Sequence, residues 1–197
     1  MGHAVPEEVI AGSSLSNNTG RLFFALWPAA SVRDALARQV ATEPVAAPGA
    51  VPARAENLHL TLGFLGRLPQ GRLQEVLEVA TGVSVEPFAF TLDRMEHWAA
   101  PAIYCLVPGA IPPALPALVA GLRSALRVRD LPADERPYRP HVTLCRKARA
   151  PEAQQVTVPV AAIDWWAQEF VLAESADDTG RSIYRIIGRW PLHPRMG

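Results

Sequence analysis

His59-Leu60-Thr61-Leu62 and His141-Val142-Thr143-Leu144 are two distant copies of one pattern. Each follows a polar or Pro-rich loop, and each sits in a segment that reads as a β-strand. Side chains alternate faces along a strand, so His and Thr at i and i+2 point the same way. Leu60 and Leu62, like Val142 and Leu144, then fall on the opposite face and pack into a core. Each copy is an apolar base that presents one imidazole and one hydroxyl. A single His-x-Thr carries little information, since a lone His in an apolar strand is more often a hydrogen-bonded structural residue. The pair suggests a duplicated lobe that brings both strands around a shared cleft.

The elements around these strands set the fold class. Residues 21–28 form a short apolar and aromatic run stopped by Pro28, which reads as a buried strand. Ser31 is placed to cap a helix over 32–41, where Val32, Leu36 and Val40 recur at helical spacing. Residues 44–52 read as a loop and 57–65 as a strand, with Gly63 and Gly66 allowing a bend near its end. A helix is predicted over 69–80 and another over 113–128, with Pro116 in the first turn of the second. Strands are predicted over 88–95, 103–107, 141–145, 169–174 and 183–190, with a turn at 177–180 and a polar loop at 132–140. Several strand pairs lie close in sequence, so the pattern predicts an α+β arrangement with mixed or antiparallel sheets.

Composition narrows the setting. Lys plus Arg and Asp plus Glu both number 19, so the formal net charge is zero. That balance argues against a protein that coats nucleic acid through a basic field, but it permits a local phosphate pocket. The hydrophobic fraction of 49% supports a sizeable core. Two cysteines, Cys105 and Cys145, are too few for a disulfide framework. No apolar run approaches the length of a membrane span, and no signal core or myristoylation pattern is present. Residues 1–20 read as a flexible tail, residues 21–197 as a single bilobal domain, and the chain as a cytoplasmic monomer without a membrane partner.

Three stretches then resemble the successive signatures of one family. Arg21-Leu22-Phe23-Phe24-Ala25-Leu26, Asn57-Leu58-His59-Leu60-Thr61-Leu62-Gly63-Phe64-Leu65-Gly66 and Arg139-Pro140-His141-Val142-Thr143-Leu144 are similar to the motifs of bacterial RNA 2′,3′-cyclic phosphodiesterases. That family, also called 2′-5′ RNA ligase, belongs to the two-histidine phosphoesterase superfamily. Phe170-Val171-Leu172 and Gly180-Arg181-Ser182-Ile183-Tyr184 resemble its closing hairpin. The resemblance spans about residues 21–191. It implies a bilobal fold with pseudo-twofold symmetry, largely antiparallel sheets lining a central cleft, and helices outside.

The resemblance also implies the reaction: opening of RNA 2′,3′-cyclic phosphate ends to 2′-phosphomonoesters, with a reverse or related 2′-5′ ligation. Two histidines suit this chemistry, because their ordinary pKa near 6.5 lets one be neutral and the other protonated. The family pattern implies His59 as general acid and His141 as general base; the residues themselves, nearly symmetric, leave the two roles open. Thr61 and Thr143 are expected to donate hydrogen bonds to the non-bridging phosphate oxygens. No metal or cofactor is expected, since the sequence holds no His-x-His, His-Glu-x-x-His or paired-Cys spacing.

Further candidates are weaker. Arg146 is placed as the family's phosphate-binding arginine, yet strict alternation puts it on the face opposite His141 unless the strand ends or bulges near Cys145. Alternation puts Cys145 on the active face, although a small buried filler is its simpler role. Tyr138 and Arg139 are candidate substrate contacts, Tyr138 by stacking on a base; a packed loop aromatic is the plainer reading. Trp98, Trp165 and Trp166 are read mainly as core or surface packing. Arg54 and Arg67 read as solvated charges, and His97 and His193 as structural or exposed. His3 lies in the tail. Three alternatives stay open: a non-catalytic RNA-binding module on the same scaffold, a metallohydrolase, and an enzyme for another 2′,5′-linked or cyclic-phosphate nucleotide.

Overall fold

A computed structural model describes residues 20–41, 49–69, 71–148, 157–178 and 181–194. The first half of the sheet begins with β1 (Arg21–Leu26), which an antiparallel partner, β3 (Leu60–Gly66), joins after α1 (Ala30–Val40). β8 (Glu169–Asp178) and β9 (Arg181–Pro191) extend it outward from β1. The second half repeats this plan. β5 (Ile103–Pro108) and β6 (Val142–Arg146) are connected through α3 (Ala114–Val128), and β4 (Phe88–Trp98) and β7 (Thr157–Ala167) extend outward from β5. Two short elements complete it: β2 (Val51–Pro52), which pairs with β6, and α2 (Leu73–Thr81).

The strand order is β9-β8-β1-β3-β6-β5-β4-β7, and every pairing is antiparallel. It reads as two four-strand lobes related by a pseudo-twofold axis between β3 and β6. Those two strands meet at one bridge, Leu60↔Val142. Leu60 and Val142 are the middle residues of the two His-x-Thr copies. The duplication in the sequence is therefore the symmetry of the fold, and its axis passes between the motifs.

Each lobe is apolar on both faces of its central strands. Leu22, Phe24 and Leu26 of β1 join the main core with Leu60, Leu62, Leu106, Val142 and Leu144. Phe23 and Ala25 turn the other way and cluster with Val171 and Ala173. In the second lobe Ile103, Cys105 and Val107 form the matching cluster, with Trp98 packed on it. Double-sided burial explains why 22–26 is a continuous apolar run rather than an alternating one. The helices cover the main-core face: α1 packs against β6 and β7, α3 against β3, and α2 against α3 and β9. Leu115, Leu118, Val119, Leu122 and Leu126 are the buried stripe of α3, and Pro116 sits in its first turn, where its missing N–H costs little.

Differences from the sequence reading have local causes. α1 starts at Ala30 with Ala29 as its cap, so Ser31 lies inside the first turn and does not cap. Residues 55–57 form a 3-10 turn, and β3 begins only at Leu60. β7 has no counterpart in the sequence reading. It is an edge strand carrying Pro159 and showing no apolar alternation in its first half. Residues 1–19, Thr179 and Gly180 lie outside the described residues, and with them nearly all of the expected tail and the tip of the expected turn. No described helix is long and apolar enough to cross a membrane.

Leu60 is fully buried and its backbone makes the inter-lobe bridge. Leu60→Ala is expected to cost about 2–5 kcal/mol, the usual toll of a large-to-small core change. Urea unfolding checks this, and a loss below about 1 kcal/mol would show that the seam between the lobes is not tightly packed.

Candidate active site

The bulges that follow each motif build the site. Along β3 and β1, Gly63 pairs with Phe24 but Thr61 pairs with Ala25, leaving Leu62 as the extra residue. Along β6 and β5, Cys145 pairs with Tyr104 but Thr143 pairs with Cys105, leaving Leu144 extra. The two bulges occupy the same place in the two lobes. A bulge shifts the alternation of the residues after it by one. Arg146 therefore lies on the face of Thr143, and Phe64 on the face of Thr61. The expectation from strict alternation is overturned for Arg146, which lines the cleft, and for Cys145, which is fully buried in the main core.

The cleft has a volume of about 890 Å3, and His59, Thr61, His141, Thr143 and Arg146 all line it. Among the described residues, Arg21, Arg123, Arg136, Arg139, Arg146 and Lys147 contribute cations, against the one lining carboxylate of Asp134. A chain with no net charge thus concentrates positive charge where an anion would enter.

Both imidazoles are held alike. His59 Nδ1 donates to the Asn57 carbonyl at 2.6 Å and His141 Nδ1 to the Arg139 carbonyl at 2.8 Å. A carbonyl only accepts, so Nδ1 carries the proton in each ring and Nε2 is the atom free to exchange one. Around His59, Trp27 stacks at 5.4 Å with an 8° interplanar angle, while Phe23 lies at 4.9 Å and Tyr184 at 5.3 Å. Trp98 packs on His141 at 4.5 Å, and the Arg139 guanidinium covers Trp98 at 3.9 Å. The Thr61 hydroxyl lies 3.1 Å from His59 Nε2.

Burial lowers the His59 pKa to about 4; the Asn57 carbonyl opposes this shift, and the nearby Arg146 and His141 add to it. The His141 pKa is also lowered, chiefly by burial, with Arg139, Arg146 and Arg136 contributing and the Arg139 carbonyl opposing. Arg146 acts on both rings from one position, and its Nη2 donates to the Tyr184 hydroxyl at 3.3 Å. Cys105 lies behind the motif, with its thiol pushed up to about 12 by burial, and has no acid–base role near neutrality.

The other sequence candidates separate clearly. Arg139 lines the cleft, bonded to Glu96 at 3.3 Å. Tyr138 also lines it but packs on the main core, and its hydroxyl is buried without a hydrogen-bond partner among the described residues. Arg54 pairs with Glu56, and neither Arg54 nor Arg67 lines the cleft. His97 is buried and donates to the Ala148 carbonyl at 3.0 Å, and His193 lies against Ser84. Trp165 is buried and Trp166 exposed, whereas Trp98 is part of the cleft wall. Sequence reasoning missed Phe23, Phe64 and Tyr184 as cleft residues, and Trp27 as the ring stacked on His59. The bulge and the β8–β9 pairing that place Phe64 and Tyr184 have no local sequence signal. Among the described residues no three His, Cys, Asp or Glu side chains gather as a metal site.

Residues 26–104 match the family described as LigT like Phosphoesterase. An RNA 2′,3′-cyclic phosphodiesterase of Escherichia coli (strain K12) is 32% identical over 174 residues, covering 87% of this chain and 96% of that protein. The chain belongs to the LigT-like phosphoesterases. A second relative of that kind, an RNA 2′,3′-cyclic phosphodiesterase of Thermus thermophilus, is 28% identical over 191 residues, covering 90% of this chain and 92% of its own. The crystal structure of E. coli LigT in apo form superposes with a TM-score of 0.77 at 30% identity, covering 89% of this chain and 99% of that one. The same protein complexed with 3′-AMP gives 0.76 at 30% identity over 88% and 98%. The α+β, antiparallel, two-lobed architecture of this chain is thus that of the LigT-like phosphoesterases.

Proposed function

We infer that this chain hydrolyses RNA 2′,3′-cyclic phosphate ends to 2′-phosphomonoesters. The observation that carries this reading is the convergence of two imidazoles, each with Nδ1 anchored on a carbonyl, and one guanidinium on a single cationic cleft. Its relatives in E. coli and T. thermophilus are RNA 2′,3′-cyclic phosphodiesterases, and 3′-AMP is bound by the E. coli protein. Both walls of the cleft come from one chain, which suits a monomer. An RNA substrate suits a cytoplasmic setting.

In the reaction, water attacks phosphorus and the ribose 3′ oxygen leaves on the opposite side. His141 Nε2 takes the proton of the attacking water, and protonated His59 Nε2 gives one to the departing oxygen. A low pKa makes protonated His59 a strong acid toward a leaving alkoxide, while neutral His141 is ready to accept. Thr61, Thr143 and Arg146 donate to the non-bridging oxygens, where transition-state charge gathers. The same groups serve attack by a 5′-hydroxyl in place of water, with the 3′ oxygen again leaving, which joins 2′,5′ ends. This proton traffic uses only side chains of the chain itself. Activity is expected to survive a chelator, and loss restored by zinc would contradict the acid–base mechanism.

The test is to incubate an oligoribonucleotide with a 2′,3′-cyclic phosphate end and identify the product. A 2′-phosphate supports the reading. A 3′-phosphate would reverse the proposed leaving group, and binding without turnover would indicate a non-catalytic RNA-binding module.

Thr61→Ala and Thr143→Ala are each expected to lower kcat about 10- to 1000-fold, as the loss of a transition-state donor does. Single-turnover rates check this, and a change below threefold would remove that hydroxyl from the phosphate cradle.

Because both histidine pKa values are lowered from 6.5 in the free enzyme, the bell of kcat/KM against pH is expected to peak below pH 6.5. Below the lower pKa the base is protonated, and above the higher one the acid has lost its proton, so activity falls on both sides. A bound phosphate anion favours imidazolium and raises both values, which moves the kcat bell upward. A kcat/KM optimum above pH 7.5 would contradict this.

A further inference from the structure

We propose that Glu96 is a positioning residue for His141: its carboxylate ties Trp98 and Arg139 into a brace that fixes the orientation and tautomer of that imidazole. This rests on the hydrolase reading above and deepens it.

The two motif histidines take the same anchor from different settings. Each Nδ1 donates to a carbonyl two residues upstream. In the first lobe that carbonyl belongs to Asn57, the last residue of the 3-10 turn, whose N–H donates to the Arg54 carbonyl at 2.9 Å. In the second lobe it belongs to Arg139, in the stretch between α3 and β6 that contains no helix or strand. Such connecting segments move more than the elements they join. A carbonyl there needs a further hold if it is to fix a ring, and Arg139 finds one through its side chain.

That hold is on β4. Glu96 and Trp98 lie two residues apart on this strand and so share a face. Trp98 Nε1 donates to Glu96 Oε2 at 2.6 Å, and Arg139 Nη2 donates to the same oxygen at 3.3 Å. The Arg139 guanidinium lies over the indole, 3.9 Å from its centroid, and the indole packs on His141 at 4.5 Å. Arg139 therefore meets His141 twice, through its carbonyl at Nδ1 and through Trp98 at the ring. One carboxylate oxygen closes both routes. Glu96 itself does not line the cleft. Its side chain is 25% exposed against 58% for Arg139, so the tie is made on the inner side of the arginine.

A general base must keep its lone pair on Nε2, which requires the proton on Nδ1. When Arg139 is released from β4, its carbonyl no longer holds Nδ1–H in place. The ring can then turn, and its proton can settle on Nε2, where it blocks acceptance from water. The brace thus acts on the reaction through His141 and not through the substrate.

The experiment combines kinetics on a 2′,3′-cyclic end with 15N NMR of the neutral His141 ring. Glu96→Ala is expected to lower kcat about 10- to 100-fold, with KM changed by less than about threefold. Glu96→Gln is expected to keep most of the rate, since one amide oxygen can accept from both donors. Arg139→Ala is expected to match Glu96→Ala, and the double variant to fall no further than either. In NMR, the wild-type protein and Glu96→Gln should carry the proton on Nδ1, whereas Glu96→Ala and Arg139→Ala should show a mixture of tautomers. A pure Nδ1–H ring in both alanine variants overturns the proposal, whatever their rates. So do losses that add in the double variant, or a rise in KM alone for Arg139→Ala, which makes Arg139 a substrate contact. A Glu96→Gln protein as slow as Glu96→Ala also overturns it. Absence of turnover by the wild-type protein overturns the hydrolase reading instead, and the tautomers then decide the brace by themselves.

Discussion

His141→Ala is expected to lower kcat/KM on a 2′,3′-cyclic end by about 10³- to 10⁴-fold, the usual worth of a positioned acid or base. His59→Ala is expected to fall in the same range, because the rings are mounted alike: each Nδ1 is tied to a carbonyl two residues upstream and each Nε2 is left as the exchange site. The double variant should lose far less than the product of the two single losses. Once one end of a proton relay is gone, the other has little left to contribute. The single variants should also separate in pH. Removing the base abolishes the acid limb of the kcat/KM profile, and removing the acid abolishes the alkaline limb. Steady-state kinetics across pH 4 to 9 read both effects. A loss below tenfold for either variant would take that ring out of the chemistry, and an unchanged bell would take it out of the acid–base pair.

Arg146→Ala is expected to cost about 10²- to 10³-fold, chiefly in kcat. Arg146 lines the cleft, acts on both imidazoles and is steadied by the Tyr184 hydroxyl. A guanidinium there meets the negative charge that gathers on phosphorus oxygens in the transition state. Arg146→Lys should recover only part of the loss, since a single ammonium cannot reproduce the planar fork. A rise in KM with kcat intact would instead make Arg146 a ground-state anchor.

Removing positive charge from this place also relieves two histidines whose pKa values it lowers. Each histidine pKa should therefore rise in Arg146→Ala, moving the kcat/KM bell toward higher pH. A bell that shifts the other way would contradict the electrostatic role.

The paired motifs were legible in the sequence because they are local: His, Thr and the apolar residues between them carry their own geometry along one strand. Duplication then pointed to two lobes, and the family resemblance to their arrangement. Arg146 was not legible in the same way. Alternation counted from His141 puts it on the wrong face, and only the pairing of β6 with β5 reveals the extra residue at Leu144. The same counting misassigned Cys145.

Phe64 and Tyr184 are harder still, since the first depends on a bulge and the second on where a distant hairpin lies against β1. Trp98 reads as packing from composition, and it does pack, but on a cleft histidine. β7 was invisible because an edge strand buried mainly in its second half shows no full alternation.

The geometry makes one demand above the rest: a single phosphate must be reached by both Nε2 atoms and by Arg146 together. A crystal structure of the protein with 2′-AMP tests this most directly. The expected result is a phosphate within about 2.7–3.2 Å of both imidazole nitrogens and of the guanidinium. A phosphate bound elsewhere in the cleft, or touching one imidazole alone with the other turned away, would contradict it.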